Sequence, residues 1–198
     1  MFLIYVQDLP QRVKNSIIMF ADDTKLWTGI LKLEDSDSLQ KDLWRLAEWS
    51  KKWLLSFNPE KCKVMHIGHE FATNYVMKDG GSLRNLDTTE KEKDLGIYVV
   101  KDLKSQEQCT QAARKAQAVL GMVKRHLTQL DKEDFMAIYK AYIRPHLEYC
   151  VQAWSPHFIK DIDCLEQIQR RATKLVKGLK KWTYEDRLKH VFQTGYSH

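Results

Sequence analysis

The sequence predicts an α+β fold: a short antiparallel sheet with one long helix, followed by an all-helical segment. Three observations predict it. Short apolar–polar alternations bounded by Gly, Pro, Asn or Asp fill the first half. One long stretch of three-and-four apolar spacing interrupts them. Beyond about residue 104 the period is helical. Residues 1–103 and 104–198 therefore read as two domains of a 198-residue chain. That length suffices to bury a real core.

Leu3 to Val6 reads as the end of a buried element. Asp8-Leu9-Pro10 closes it, because proline lacks a backbone donor and restricts the residue before it. Ile17-Ile18-Met19-Phe20 leads into Ala21-Asp22-Asp23, and Thr24-Lys25-Leu26-Trp27 leads out. This pattern predicts a β-hairpin with acids at its turn, and such a turn can hold a divalent metal against a nucleotide triphosphate. An amphipathic helix follows from about Ser36 to about Leu55, with Leu39, Leu43, Leu46, Trp49 and Trp53 on one face. Ser36 or Asp37 suits its N-cap.

Asn58-Pro59 breaks that helix. Cys62 to Ile67 alternates like a half-buried strand. Two short strands are expected at Asn74–Met77 and Leu83–Leu86, with Asp79-Gly80-Gly81 at the turn between them. Asp94 to Val100 reads as another strand, with Gly96 where something approaches the backbone closely. Farther on, Cys109, Ala112, Ala116, Val119, Leu120 and Val123 line one helical face. A second helix is expected from about Asp131 to Arg144, stopped by Pro145. A third is expected from about Asp161 to Lys177, ended by Gly178.

Composition is ordinary for a globular protein, with 43% hydrophobic and 29% charged residues. No apolar run approaches the ~20 residues that span a bilayer, so no membrane partner is expected. Met1 to Val6 is too short for a signal-peptide core and lacks a basic region before it. The four cysteines are widely spaced and form no C-x-x-C pair. Free thiols in a reducing compartment, cytoplasmic or nuclear, are the expectation. Cys62, His66 and His69 are close in sequence, but strand alternation works against a shared metal. Charge is uneven: residues 1–100 carry 14 Lys and Arg against 15 Asp and Glu, and residues 101–198 carry 18 against 11. The basic half is the expected place for polyanion contact. Arg170, Arg171, Lys174, Lys177, Lys180 and Lys181 cluster there. Positions 170, 174, 177 and 181 share a face if one helix continues past Gly178. Trp154 and Trp182 suit either base stacking or apolar packing.

An ordered series of motifs spans about residues 1–190. It runs from Phe2-Leu3-Ile4-Tyr5-Val6-Gln7-Asp8-Leu9-Pro10 through Phe20-Ala21-Asp22-Asp23-Thr24-Lys25-Leu26 to Trp49-Ser50-Lys51-Lys52-Trp53. It continues with Phe57-Asn58-Pro59-Glu60-Lys61-Cys62-Lys63-Val64-Met65-His66-Ile67-Gly68 and Glu92-Lys93-Asp94-Leu95-Gly96. It ends with Arg144-Pro145-His146-Leu147-Glu148-Tyr149-Cys150, Trp154-Ser155-Pro156 and Gln169-Arg170-Arg171-Ala172-Thr173-Lys174. The series resembles the reverse transcriptase of non-LTR, LINE-like retrotransposons of the jockey and chicken-repeat type.

The resemblance implies a right-hand RNA-directed DNA polymerase, with part of the palm before residue 104 and a helical thumb after it. Asp22 and Asp23 fall on its catalytic turn as magnesium ligands, Asp22 the more direct. Two magnesium ions ~3.5–4 Å apart would act on the attacking and leaving oxygens. Lys61 matches a region where a lysine can protonate the leaving pyrophosphate. Leu95 and Gly96 match the hairpin that grips the primer end. Arg170, Arg171, Lys174, Lys177 and Lys181 would contact nucleic acid. The implied partners are an RNA template, a DNA primer and deoxynucleotides. The family's other essential aspartate and its fingers lie upstream of the segment matched. Asp8 belongs to a loop in the family pattern and does not replace that aspartate. Both ends therefore read as truncated, and the chain alone is expected not to polymerise. The alternative is a non-catalytic nucleic-acid-binding or interaction module derived from a retroelement.

Overall fold

The computed structural model describes residues 6–68, 73–79, 81–127 and 129–193. Leu3, Ile4 and Tyr5 of the expected opening element lie outside these residues, as do His69 and Gly80. The chain is α+β, and the described strands form four two-stranded sheets rather than one. It divides into two compact units, residues 1–91 and 92–198.

The first unit opens with a 3₁₀ turn, Leu9–Arg12, that accepts Pro10 in its first positions, where no intrahelical donor is needed. Strands β1 (Ser16–Phe20) and β2 (Asp23–Trp27) form the predicted antiparallel hairpin. Its register runs from Ser16↔Trp27 to Phe20↔Asp23, leaving Ala21 and Asp22 as the loop. The pleat sorts the side chains. Ile17, Met19 and Leu26 pack with Val6, Leu9, Leu46 and Trp49, while Ile18, Phe20 and Trp27 stay exposed on the other face.

Helix α1 spans Leu33–Trp53, starting earlier than expected. Asp35, not Ser36 or Asp37, closes its first turn. The Asp35 carboxylate accepts the backbone N–H groups of Leu31 at 2.8 Å and Lys32 at 2.9 Å. Ser36 Oγ instead donates to the Leu33 carbonyl. Of the expected apolar face, Leu46 and Trp49 are buried and Trp53 reaches the surface.

Beyond α1 the strand expected over Cys62–Ile67 shrinks to β3, Lys63–Val64. Its partner, β6 (Asp87–Thr88), is equally short and runs parallel to it. His66 leaves the ladder and hydrogen-bonds Thr73 at 2.9 Å through Nε2. Strands β4 (Val76–Asp79) and β5 (Ser82–Asn85) pair antiparallel, Val76↔Asn85 to Asp79↔Ser82. Gln40 of α1 holds this pair. Its amide donates to the Val76 carbonyl at 2.8 Å and accepts the Val76 N–H at 2.9 Å.

The second unit begins with a hairpin where one strand was expected. Strands β7 (Lys91–Asp94) and β8 (Ile97–Val100) flank Leu95 and Gly96. Both loop residues have positive φ, 45° and 88°, the combination that tight two-residue hairpins demand. The hairpin packs with the helices that follow, since Ile97 lies against Cys109, Ala112 and Trp154. The units accordingly meet in sequence at Lys91–Glu92, ahead of the change of period near residue 104.

Helix α2 (Gln106–His126) buries Cys109, Ala112, Ala113, Ala116, Leu120 and Val123. Helix α3 (Lys132–Ile138) is capped by Asp131, whose side chain accepts the Asp134 N–H at 2.8 Å. Pro145 does not stop this helix as expected. A π turn, Tyr139–Ile143, widens the backbone, and the Arg144 N–H reaches back to the Tyr139 carbonyl. Wider spacing relieves the clash of the proline ring with the carbonyl four residues before it. Helix α4 (Arg144–Glu148) then continues, and α5 (Val151–Trp154) follows.

Helix α6 (Ile159–Ala172) lies beside α2 and points the same way. Lys160 Nζ donates to Gln106 Oε1 at 2.9 Å, and Arg171 Nη1 donates to Gln117 Oε1 at 2.8 Å. Small residues on α2 permit close packing, and the shared core includes Phe135, Ile143, Ile168 and Ala172. Helix α6 stops short of the expected Lys177. After a 3₁₀ turn, Thr173–Leu175, the chain extends and Val176 bridges Leu130. Helix α7 (Tyr184–Leu188) is capped by Thr183.

Burial also sets thiol reactivity. Cys109 is fully buried and its pKa is pushed up to about 11 by that burial, whereas Cys150 is exposed. Since the thiolate is the reactive species, a chromogenic disulfide reagent should label Cys150 first. Cys109 should react only on unfolding, which stopped-flow absorbance with a Cys150→Ser control would check.

Among the described residues no helix is long and apolar enough to cross a membrane.

Candidate functional site

The hairpin β1–β2 carries the two acids at its tip. Asp22 occupies the loop, and Asp23 is the first residue of β2. Both are exposed. Ala21 has φ 54°, a left-handed conformation that costs a non-glycine residue about 1 kcal/mol. The register places Asp23 on the face of Phe20 and Trp27, away from the core cluster.

Both acids line a cavity of about 1030 Å³ within the first unit. Lys61 borders it as well, so the three residues singled out for catalysis lie along one broad cavity, with Asp23 on the hairpin face opposite the core cluster. Leu43 and Leu46 of α1 and Tyr75 and Met77 add apolar wall. Lys61 is placed by an Asn58 turn. The Lys61 N–H donates to the Asn58 carbonyl at 3.1 Å, and the Asn58 side chain accepts the Glu60 N–H at 3.0 Å.

Two adjacent carboxylates are a hard-oxygen donor set. Magnesium commonly takes one or two carboxylates and completes its shell with phosphate oxygens and water. Asp22 and Asp23 fit that use. Among the described residues no group of three or more His, Cys, Asp or Glu could hold a metal.

Two further acids of the first unit have structural work. Asp8 accepts the Trp49 indole N–H at 2.7 Å and pairs with Arg12 at 3.2 Å. The indole bond, ahead of Arg12, holds its carboxyl below the usual pKa. Asp42 is fully buried in α1. It accepts the backbone N–H groups of Lys14 and Asn15 at 3.0 and 2.8 Å, the Asn15 side-chain amide at 2.8 Å, and the Arg45 guanidinium. Burial pushes its acid up, but these donors outweigh burial and its pKa lies below the ordinary value. Asp42 thereby ties α1 to the residues that enter β1. Sequence reasoning missed it, although an acid between Leu39 and Leu46 on an apolar face was a signal.

In the second unit Leu95 and Gly96 form the tip of the β7–β8 hairpin. Tyr149 approaches this backbone, as the glycine suggested. The Tyr149 hydroxyl donates to the Leu95 carbonyl at 3.0 Å. A Cβ on Gly96 would sit 3.1 Å from Tyr149 Cε1. The Tyr149 carbonyl in turn accepts the Trp154 indole N–H at 2.8 Å. Gly96→Val should therefore cost about 2 kcal/mol, from left-handed strain plus the ring contact. Tyr149→Phe should cost about 1 kcal/mol. Urea unfolding, with amide exchange at Leu95 and Gly96, would check both.

The basic residues do not form one stripe, because α6 ends at Ala172. Arg171 pairs with Gln117, and the Arg170 guanidinium lies 4.8 Å from the centre of the Tyr184 ring. Lys174, Lys177 and Lys181 are exposed. Trp154 is buried while Trp182 is 46% exposed, which separates the two tryptophans that sequence left equivalent. Another feature that sequence reasoning missed is Arg187, only 4% exposed. It donates to Thr173 Oγ1 at 3.0 Å and to the Trp182 carbonyl at 2.6 Å.

Comparison with family models, curated proteins and solved structures found no match for this chain.

Proposed function

We propose that the chain is the palm-and-thumb portion of a retrotransposon reverse transcriptase, an RNA-directed DNA polymerase. One observation supports it above the rest. Asp22, Asp23 and Lys61, which the family resemblance assigns to catalysis, line a single cavity. In this reading the first unit is the palm part and the helices of the second are the thumb. RNA template, DNA primer and deoxynucleotides are the partners.

Each residue then has a defined task. Asp22 would hold the metal directly, and Asp23 would add a second carboxylate or polarise the site. Magnesium, when bound, supplies positive charge to the attacking and leaving oxygens of an in-line displacement. Lys61 is the proton donor for the departing pyrophosphate. Leu95 and Gly96, at the tip of the β7–β8 hairpin braced by Tyr149, are the primer-gripping residues in this reading. Lys174, Lys177 and Lys181 meet phosphates.

The test is a chimera that joins this chain to the fingers and upstream palm of an intact reverse transcriptase of the type it resembles. The chimera should extend a primer on RNA with magnesium and deoxynucleotides, and Asp22→Asn should abolish extension. A folded chimera without activity, or one indifferent to Asp22→Asn, would overturn the reading.

A second reading, a non-catalytic nucleic-acid-binding module, draws on the basic residues of the second unit. Salt-dependent binding of RNA–DNA duplex, together with an inactive chimera, would favour it.

A further inference from the structure

We infer that the surface around Trp182 binds single-stranded nucleic acid, with the indole stacking on a base. A concavity of about 800 Å³ opens there, lined by Lys181, Trp182, Thr183, Asp186, Lys189 and His190. A lone exposed tryptophan would carry no weight, since scattered apolar residues are normal at surfaces. Three further observations give this one weight.

First, the ring sits on a fixed backbone. The Trp182 N–H donates to the Leu179 carbonyl at 3.0 Å. Its carbonyl accepts buried Arg187 at 2.6 Å, and Arg187 is itself anchored on Thr173. A platform held from below loses little freedom when a base stacks on it. Second, a neighbouring ring stands against the indole. His190 packs against it at 5.4 Å and 61° between planes, and the Trp182 side chain is still 46% exposed beside this contact. Third, the flanking charge is cationic. Lys181 and Lys189 line the concavity, and Lys177 and Lys180 are exposed nearby in sequence. The one acid on this wall, Asp186, accepts the Thr183 hydroxyl at 2.7 Å.

An aromatic platform between lysines is the pattern that holds unpaired strands: stacking takes any base, and point charges take the phosphates. A duplex hides its base faces, so the site selects single strands or unpaired ends. The choice of nucleic acid over another polyanion rests on the polymerase-derived reading above. The stacking itself is independent of Asp22 and Asp23.

The experiment measures anisotropy of a labelled oligonucleotide of about 12 nucleotides, single-stranded or annealed, with the full chain. Trp182→Ala should weaken single-strand binding by about 5- to 100-fold, and Trp182→Phe by about threefold or less. Duplex binding should change less than about twofold in either variant. Lys181→Glu with Lys189→Glu should weaken binding and flatten its salt dependence. These side chains lie at the surface, so that double variant reads the site even if Trp182→Ala fails to fold. No binding by the wild-type chain would overturn the inference. So would equal binding by folded Trp182→Ala, or equal competition by poly-glutamate. An inactive chimera combined with Trp182-dependent binding would sink the polymerase reading and keep this one.

Discussion

Asp42→Ala is expected to destabilise the first unit by about 3–5 kcal/mol, the cost of removing one member of a buried, charge-assisted network. The magnitude follows from what is left behind. The backbone N–H groups of Lys14 and Asn15 and the Asn15 amide all point at this one carboxylate. Without it they lose their acceptor in a site where Asp42 itself is 0% exposed. Arg45 loses its partner too, although its head is nearer solvent. Asp42→Asn keeps the shape and an acceptor oxygen but replaces the other with an amide donor, so it should lose less. Urea denaturation followed by tryptophan fluorescence would rank the variants. The same acid gives a pH signature. Its folded pKa is below the unfolded value, so its contribution is complete above the unfolded pKa. That contribution is lost as pH falls through the folded value, below about pH 4. Asp42→Asn should flatten this acid limb. An unchanged limb would show that other carboxylates dominate it.

In the chimera, Asp22→Asn is expected to cut primer extension by about a thousandfold or more, with Asp23→Asn costing less. The contrast rests on position. Asp22 is a loop residue, and Asp23 is fixed in the ladder opposite Phe20. A loop carboxylate can turn toward a metal, while the direction of a strand carboxylate is set by the pleat. Single-turnover extension at saturating nucleotide separates the chemical step from binding. Equal losses in both variants would argue for two equivalent ligands. No loss in either would remove the hairpin from catalysis. Lys61→Ala, tested alongside, should lower the single-turnover rate with little effect on nucleotide affinity if its ammonium donates the proton.

Local patterns were legible in the sequence. Ile17 to Trp27 reads as a hairpin because alternation and a short polar loop agree. Helix α2 reads as a helix because its small and apolar residues recur on one face. Contacts between distant residues were not legible. Asp42 breaks the apolar face of α1 for the sake of donors at Lys14 and Asn15, which no local pattern connects to it. Pro145 ordinarily ends a helix, but a π turn upstream of it absorbed the steric conflict. The stripe through Lys177 and Lys181 required a continuous helix, and the pairing of Val176 with Leu130 ended that helix first. For the candidate site, Asp22 and Asp23 were visible as a motif. Their sharing of a cavity with Lys61 depends on tertiary folding across α1.

The parallel arrangement of α2 and α6 bears on how the chain emerges from a ribosome. Two helices that run the same way cannot be joined by a tight turn, and α3, α4 and α5 all come between them. A nascent chain therefore displays the face of Ala113 and Ala116 well before Ile168 and Ala172 of α6 are made. Closing so long a loop is slow, and the interval leaves apolar surface open to chaperones or to other chains. Synthesis halted before α6 should yield a product that aggregates. One that reaches Ala172 should begin to protect α2.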